Sequence, residues 1–410
     1  MRKVISSLDI GSSSVKLVVG EFTRGRLHIL SATKVETEIF SEEMQTQKIL
    51  DSIDKVCSNT SEMLGVDIKK VVLCVGIKES HLVKTTAAIK IKSENKIITS
   101  EDVNKLLQAS AEKKIPKDHV LVGIQVVNFV VDGNKTVKNP KGLKSENLGI
   151  RAILITNPKT HVSTLLDIAN KAGLKVVDVI PDSLADYCCF RNKITSKGQG
   201  AIVNLGFNKT RISIFNKGMI TDSKIFKMGA KNIVNEIAYS YNLSDKIAYA
   251  LFKDLTLASK KMANPKEYRM IENLDNRKIR VNEYQLSEIA SNQISEMLKL
   301  IKKQINLLTK KQISYIIVTG GLTEISDFDI ALKDFLSFAT LGKINLIGAR
   351  DNSYSTVIGS LCFFEEKLNL RDKNFTIFND EELKELNDGF STVDGNGTLI
   401  GKVFGYFFEN

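Results

Sequence analysis

Two segments of the sequence follow the same plan of three strands and two turns, and this repeat constrains the fold more than any other feature. Residues 4–30 and residues 201–226 each contain three short apolar or β-branched runs separated by turn residues. The segments that align at a constant offset are Asp9-Ile10-Gly11 with Asn204-Leu205-Gly206, and Val15-Lys16-Leu17 with Thr210-Arg211-Ile212. Gly25 and Gly218 then indicate the following hairpin turns. The repeat predicts a duplicated protein in which a β-meander opens each half.

The first turn of each segment has the residues that a phosphate site needs. Glycine lets the backbone approach a ligand closely, and N–H groups and small hydroxyls can surround phosphate oxygens. Lys16 supplies a positive charge, and we expect Asp9 to hold a magnesium ion through water. The other residues that we predict to bind the phosphates are Gly11, Ser12, Ser13, Ser14, Asn204, Gly206, Asn208, Thr210 and Gly229. The alternative is an ordinary tight turn, but two copies in register favour a ligand site.

A third glycine site follows the apolar run at residues 313–319. Gly320, Gly321 and Leu322 come directly after this predicted strand and before a predicted helix start. Bare backbone at such a point gives a nucleoside a surface to lie against. We therefore predict that the nucleotide is bound between the two halves, with these three residues at its nucleoside end.

The composition excludes several other classes of protein. The net charge of +11 comes mostly from lysines spread along the chain, without a cluster of arginine and aromatic residues, so we expect no nucleic acid partner. The five cysteines are scattered and form no CxxC pair, which is typical of reduced thiols rather than a metal site. No apolar run reaches the roughly 18–20 residues that a transmembrane helix requires.

The three elements, in this order, resemble the superfamily of actin, heat-shock chaperones and sugar kinases. Residues 79–157 resemble the subdomain peculiar to the bacterial cell-division protein FtsA, and the block 98–143 is the most specific part. Gly173–Ala185 and Tyr354–Leu361 are similar to the two connections between the lobes. The resemblance implies a two-lobed α/β fold of the actin-like, ribonuclease-H-like kind, with an inserted subdomain of the FtsA type. It also implies ATP and Mg²⁺ as cofactors.

This resemblance divides the chain into six parts. They are the lobe I core (1–78, with 158–198 and 353–370), the inserted subdomain (79–157), the lobe II core (199–228, with 313–352), the outer subdomain of lobe II (229–312), a flexible linker (371–397) and a terminal helix (398–410).

The sequence departs from the family pattern around the second phosphate loop. The family usually has Asp-x-Gly-Gly-Gly-Thr-Thr there, whereas this chain has Asn204-Leu-Gly-Phe-Asn-Lys-Thr210. A Gly-Gly pair of the family is Gly229-Ala230, and its Ala-Glu-x-x-Lys helix is altered at residues 248–253. Asn204 lacks the charge that helps to organise magnesium and a hydrolytic water. We therefore expect ATP to be mainly a structural ligand, with weak or absent hydrolysis.

The last residues predict a short amphipathic helix after a polar linker. Six apolar residues fall on one stripe at helical spacing, and Thr398 suits the N-cap. They are Leu399, Ile400, Val403, Phe404, Phe407 and Phe408. Thirteen residues are too few to span a bilayer but suit its interface. A last helix packed on the core is the alternative, and the linker in front of it favours the membrane.

Together these features predict a cell-division adaptor similar to FtsA. Such a protein is peripheral on the cytoplasmic face of the cell membrane at the division site, forms filaments with copies of itself, and tethers the C-terminal tail of FtsZ. The resemblance implies an anionic membrane surface and other division proteins as further partners, and it puts FtsZ docking within residues 229–312. Two alternatives stay open: a pilus-assembly adaptor similar to PilM, and a small-molecule kinase of the same superfamily.

Overall fold

The first half of the chain begins with a β-meander, a helix and a fourth strand that lies parallel to the first. The structure is a computed structural model that describes residues 3–37, 46–77, 81–112 and 114–383. The first elements are β1 (Lys3–Ile10), β2 (Ser14–Thr23), β3 (Arg26–Glu36), α1 (Thr46–Leu64) and β4 (Lys70–Val75). Helix α1 buries Ile49, Ile53 and Val56, whose spacing places them on one face against the sheet.

The insertion has its own sheet and its own core. Its elements are β5 (His81–Lys90), α2 (Ser100–Ala111), β6 (His119–Val131), β7 (Lys135–Val137) and β8 (Asn147–Pro158). The strands are ordered β5-β8-β6-β7, and α2 packs on them to bury Leu106, Phe129 and Leu148. Thr99 begins α2 with a capping box, in which its side chain and that of Asp102 each accept from the other's backbone N–H.

The chain then returns to the first sheet before it crosses to the second lobe. The elements of this part are α3 (Lys159–Lys171), β9 (Lys175–Pro181), α4 (Asp182–Cys189) and α5 (Lys193–Lys197). Strand β9 completes a five-stranded sheet in the order β3-β2-β1-β4-β9. Helix α4 follows β9 directly and carries the chain between the lobes.

The second half repeats the first sheet. Its elements are β10 (Gln199–Leu205), β11 (Thr210–Asn216), β12 (Met219–Phe226), α6 (Ala230–Tyr241), α7 (Asp245–Asp254), β13 (Tyr268–Glu272), β14 (Lys278–Asn282), α8 (Glu283–Leu308), β15 (Tyr315–Thr319), α9 (Phe328–Phe335), β16 (Ala339–Leu341) and α10 (Ser355–Leu370). Its sheet has the order β12-β11-β10-β15-β16, in which every strand occupies the position of its counterpart in the first sheet. The predicted duplication is thereby confirmed.

Helices α4 and α10 cross between the two sheets in very close contact. Gly359 of α10 lies against the backbone of α4, and a Cβ atom at this position would be 1.7 Å from the carbonyl oxygen of Ala185. Only a residue without a side chain allows this separation. The two connections between the lobes therefore form one packed unit, from which the site described below is built.

The residues that follow α10 correct the predicted start of the linker. The polar composition predicts a flexible tether from residue 371, but residues 371–383 pack on lobe I. Ile377 and Phe378 are buried, and the Ile377 N–H donates to the Val4 carbonyl oxygen at 2.9 Å. The ring of Phe375 meets Phe364 edge to face. The stretch is polar overall, so its composition does not indicate that these few apolar residues pack on the core.

The remainder of the predicted linker and the predicted terminal helix, residues 384–410, lie outside the described residues. Among the helices that the structure does describe, none is long and apolar enough to cross a membrane.

We expect Gly359→Ala to lower the free energy of unfolding by about 1–3 kcal/mol or more, because the added methyl group forces α4 and α10 apart. Helix propensity alone predicts the opposite sign, since alanine favours a helix by about 1 kcal/mol over glycine. Urea unfolding followed by circular dichroism measures the difference. Gly149→Ala is the control, because its Cβ would meet no atom closer than 3.5 Å. Equal or greater stability of Gly359→Ala would show that the helices separate without cost.

Candidate functional site

The two predicted phosphate loops have the same geometry. The Gly11 N–H donates to the Ser14 carbonyl oxygen at 3.0 Å, and the Gly206 N–H donates to the Lys209 carbonyl oxygen at 2.9 Å. A Cβ atom on either glycine would lie 2.9 Å from that same carbonyl oxygen. Glycine is therefore required in both turns, and each loop leaves its backbone accessible to a ligand.

The two loops face each other across a cleft of about 370 Å³ between the lobes. They approach closely enough for the Asn208 N–H to donate to the Ser12 Oγ at 3.4 Å. Most of the predicted phosphate residues line this cleft: Asp9, Gly11, Ser12, Ser13, Ser14, Lys16, Asn204, Gly206, Asn208, Gly320 and Gly321. The two loops are about 195 positions apart in the sequence and meet at one site. Each follows the first strand of its sheet, at the carboxyl end of that strand, where ligands of α/β sheets bind.

Two predicted phosphate residues support the second loop instead of lining the cleft. The Thr210 side chain is buried and donates to the Met228 carbonyl oxygen at 2.7 Å. Gly229 lies directly behind the loop, where a Cβ atom would be 2.3 Å from the Phe207 carbonyl oxygen. Both residues hold the loop in place without facing a ligand.

The third glycine site abuts the second loop. Gly320 has a φ of +102°, and a Cβ there would lie 2.5 Å from Asn204 Oδ1. Gly321 faces open space, since the nearest atom to its Cβ position is Ser353 Cβ at 3.8 Å. Leu322 is not in the phosphate cleft but lines the smaller cavity beside it. The predicted nucleoside end therefore adjoins the predicted phosphate end.

A basic residue stands opposite the polar residue at the end of the first strand in both hairpins. Asp9 pairs in register with Lys16, whose Nζ donates to Asp9 Oδ2 at 3.1 Å. Asn204 pairs in the same register with Arg211. Lys16 was predicted from the sequence and Arg211 was not, although the repeat aligns the two residues.

Arg211 lies under the cleft, where its guanidinium bridges two carboxylates of α4. One terminal nitrogen donates to Asp182 and the other donates to Asp186. These carboxylates are four residues apart and share a helix face. Burial raises the pKa of the Asp186 carboxyl to about 7, and hydrogen bonds from Thr356 and Asn204 oppose the rise. Burial lowers the pKa of the Arg211 guanidinium to about 10, so it stays charged at neutral pH.

This network explains why an asparagine occupies position 204. Its Nδ2 donates to Asp186 Oδ2 at 2.9 Å and to Thr356 Oγ1 at 3.3 Å. Asp186 also accepts from Thr356 Oγ1 at 2.7 Å. An aspartate in place of Asn204 would lose the donor and bring a second carboxylate against Asp186. The amide is therefore the side chain that the buried network requires.

Two buried polar atoms at the cleft make no hydrogen bond within 3.5 Å to the described residues: Asn208 Oδ1 and Ser353 Oγ. A buried polar atom without a hydrogen bond is costly, and a bound molecule can supply the missing one. Asn208 Oδ1 is an acceptor and Asp9 offers a carboxylate, which suits the water ligands of a hydrated magnesium ion. Within the described ranges, no group of three or more acidic, histidine or cysteine side chains is placed to hold a metal ion.

We expect Asn204→Asp to lower the free energy of unfolding by about 1–3 kcal/mol at pH 8 and by less at pH 5. The two carboxyls would share a proton, which raises their folded pKa above the unfolded value of about 4. Stability is then complete at low pH and is lost as the pH rises through the folded pKa. Thermal unfolding at both pH values measures this, with Asn208→Asp as a control of equal charge. An equal loss at both pH values would refute the shared proton.

The chain matches two family models. The first, described as the SHS2 domain inserted in FtsA, matches residues 78–156. The second, described as cell division protein FtsA, matches residues 201–359. Together the two ranges include more than half of the 410 residues. The first range agrees closely with the insertion seen in the structure, and the second contains the second phosphate loop and both α6 and α8.

Related sequences and solved structures agree with these matches. Cell division protein FtsA of Bacillus subtilis is 25% identical over 87% of this chain and 82% of its own length. The FtsA protein of Enterococcus faecalis is 24% identical over 88% of this chain and 83% of its own length. The PilM-PilN type IV pilus biogenesis complex superposes with a TM-score of 0.56 at 12% identity, over 87% of this chain and 97% of the other. MreB5 of Spiroplasma citri bound to ADP superposes with a TM-score of 0.50 at 12% identity, over 90% of this chain and 99% of the other.

The solved structures share the two-lobed architecture and thus confirm the predicted fold class at identities too low to indicate a function. The family models cover the insertion and most of the second lobe. The chain belongs to the FtsA family of actin-like cell-division proteins.

Proposed function

We propose that this protein is a nucleotide-binding adaptor that assembles on the inner face of the cell membrane and tethers FtsZ filaments there during division. The observation that carries the proposal is the FtsA-type insertion within a two-lobed fold whose phosphate loops face each other. The family assignment favours this function over the pilus-assembly adaptor and the small-molecule kinase that the sequence left open.

ATP is the proposed ligand of the cleft. Its phosphates lie between the two loops, where the backbone, the serine hydroxyls and Lys16 can bind their oxygens. Asp9 and Asn208 would hold the water ligands of Mg²⁺, which supplies positive charge to the phosphates when it is bound. The Asn204 Nδ2 donates to Asp186, and the amide, unlike a carboxylate, is no base for a water molecule. The proposed role of ATP is therefore to hold the lobes together for assembly, with weak or absent hydrolysis.

The membrane anchor is proposed for residues 398–410, which the structure does not describe. Six apolar side chains at about 1.5 kcal/mol each contribute roughly 9 kcal/mol. Ordering the segment costs about 1 kcal/mol per residue, which offsets most of that gain. A single anchor is thus weak. Several anchors on one filament bind together, because each one raises the effective concentration of the next at the surface.

We expect a chain that ends at Leu383 to lose binding to liposomes that contain anionic lipid, while its thermal stability is unchanged. This end point keeps the packed residues 371–383 and removes only the proposed anchor and its linker. A chain that ends at Leu370 is the comparison, and it should melt at a lower temperature because Ile377 and Phe378 no longer cover lobe I. Sedimentation measures binding. Full recovery of the Leu383 chain with the liposomes would contradict the anchor.

The proposed FtsZ surface lies on the outer part of lobe II. Residues 229–312 contain 15 lysines and arginines against nine aspartates and glutamates, an excess of six positive charges. The hairpin β13–β14 exposes Tyr268 and Met270, and the Arg280 guanidinium lies 4.0 Å from the centre of the Tyr268 ring. Such a surface offers an acidic peptide both charge attraction and apolar contact.

We expect Arg280→Glu to weaken binding of an acidic FtsZ tail peptide by about fivefold or more and to reduce the effect of salt on the affinity. Fluorescence anisotropy with a labelled peptide measures both quantities. Arg26→Glu makes the same charge change at an exposed position of lobe I and should leave the affinity nearly unchanged. Equal weakening by the two variants would place the peptide elsewhere or show only a general effect of net charge.

A further inference from the structure

A second cavity, of about 160 Å³, adjoins the phosphate cleft. The two cavities share Ser13, Ser14, Phe207, Gly321 and Ser353, so a single molecule can extend from one into the other. A nucleotide whose phosphates lay between the loops would have its nucleoside in this second cavity. It is called the nucleoside cavity below.

Three aromatic side chains form one wall of the nucleoside cavity. Phe207 and Tyr249 meet edge to face, with ring centres 5.5 Å apart and planes at 87°. Tyr249 and Phe252 stack with centres 6.4 Å apart and planes at 27°. Phe207 comes from the second phosphate loop, whereas the other two come from α7. The wall is thus fixed by contacts between its own members.

The charged side chains that line the nucleoside cavity are already engaged. Lys253 pairs with Glu36 at 2.5 Å, which joins lobe II to lobe I across the cavity. Lys34 pairs with Asp351 at 2.5 Å.

Glu324, at the same cavity, accepts a hydrogen bond from the Asn352 N–H at 2.9 Å, and burial raises the pKa of its carboxyl. Ser353 Oγ, by contrast, makes no hydrogen bond within 3.5 Å to the described residues and lies where the two cavities meet. The sugar of a nucleotide that extended through both cavities would lie beside it, and its hydroxyl groups can supply a hydrogen bond.

We propose that the nucleoside cavity binds the purine base by aromatic contact and does not distinguish adenine from guanine. This inference rests on the proposed nucleotide site. Discrimination between bases requires directed hydrogen bonds to the base edge, and the charged groups that line the cavity already have partners, Lys253 in Glu36, Lys34 in Asp351 and Glu324 in a backbone N–H. Aromatic contact tolerates either purine, because every base presents a π-face. Phe207, Tyr249 and Phe252 are then the residues that determine specificity.

Isothermal titration of the full-length protein with ATP, GTP, CTP and inorganic tripolyphosphate tests the proposal. We expect dissociation constants for ATP and GTP that agree within about threefold, and weaker binding of CTP, because its single ring covers less of the aromatic wall. Tyr249→Ala should weaken ATP and GTP alike by about fivefold or more and leave tripolyphosphate unchanged. Tyr249→Phe should restore the affinity for both purine nucleotides.

Tyr239→Ala is the matched control, since this tyrosine is 85% exposed on α6 and does not line either cavity. A preference of more than about thirtyfold for ATP over GTP would overturn the proposal and leave the nucleotide site intact, and so would undiminished ATP binding by Tyr249→Ala. Failure of all four probes to bind would instead contradict the proposed nucleotide site, and the specificity with it.

Discussion

The interaction on which the rest of the site depends is the fork that Arg211 makes with Asp182 and Asp186. Arg211 belongs to the second hairpin and the two aspartates belong to the helix that connects the lobes, so the fork joins lobe II to the connection. Two carboxylates and a guanidinium are costly to bury unless each finds its partner. The surrounding polar residues therefore have little freedom, and the asparagine at position 204 is one consequence.

The same network ties the second connection to the site. Ser355 and Thr356 begin α10 and both donate to Asp186 Oδ1, at 3.4 and 2.7 Å. One turn later Gly359 brings α10 against the backbone of α4. A shift of either helix would break hydrogen bonds of a buried carboxylate, which has no access to replacement by water. The polar network under the cleft and the contact between α4 and α10 are therefore coupled, so that neither can shift without the other.

The sequence was sufficient to predict the duplicated sheets, because alternating strands and glycine turns are local patterns that leave a readable period. The same local patterns indicated most of the residues that line the cleft, but not that Thr210 and Gly229 lie behind the second loop. Arg211 was missed because its partners lie 29 and 25 residues away on a helix, and no spacing rule connects them. The packing of Ile377 and Phe378 was missed because two apolar residues in a polar stretch form no period.

The insertion is coupled to both lobes, which gives the family's additional subdomain a structural role. Gln125 of β6 donates to the Gly218 carbonyl oxygen and accepts from the Ile220 N–H, both at 2.8 Å, and so binds the hairpin turn of lobe II. Lys141 donates to the Asn369 carbonyl oxygen at 2.8 Å, at the end of α10. A change in the angle between the lobes must therefore move or strain the insertion.

The two departures from the family pattern at the second loop each have a partner in the structure: Asn204 hydrogen-bonds Asp186, and the Phe207 ring packs against Tyr249. Neither substitution is explained alone, since each becomes favourable only beside a partner that is distant in sequence.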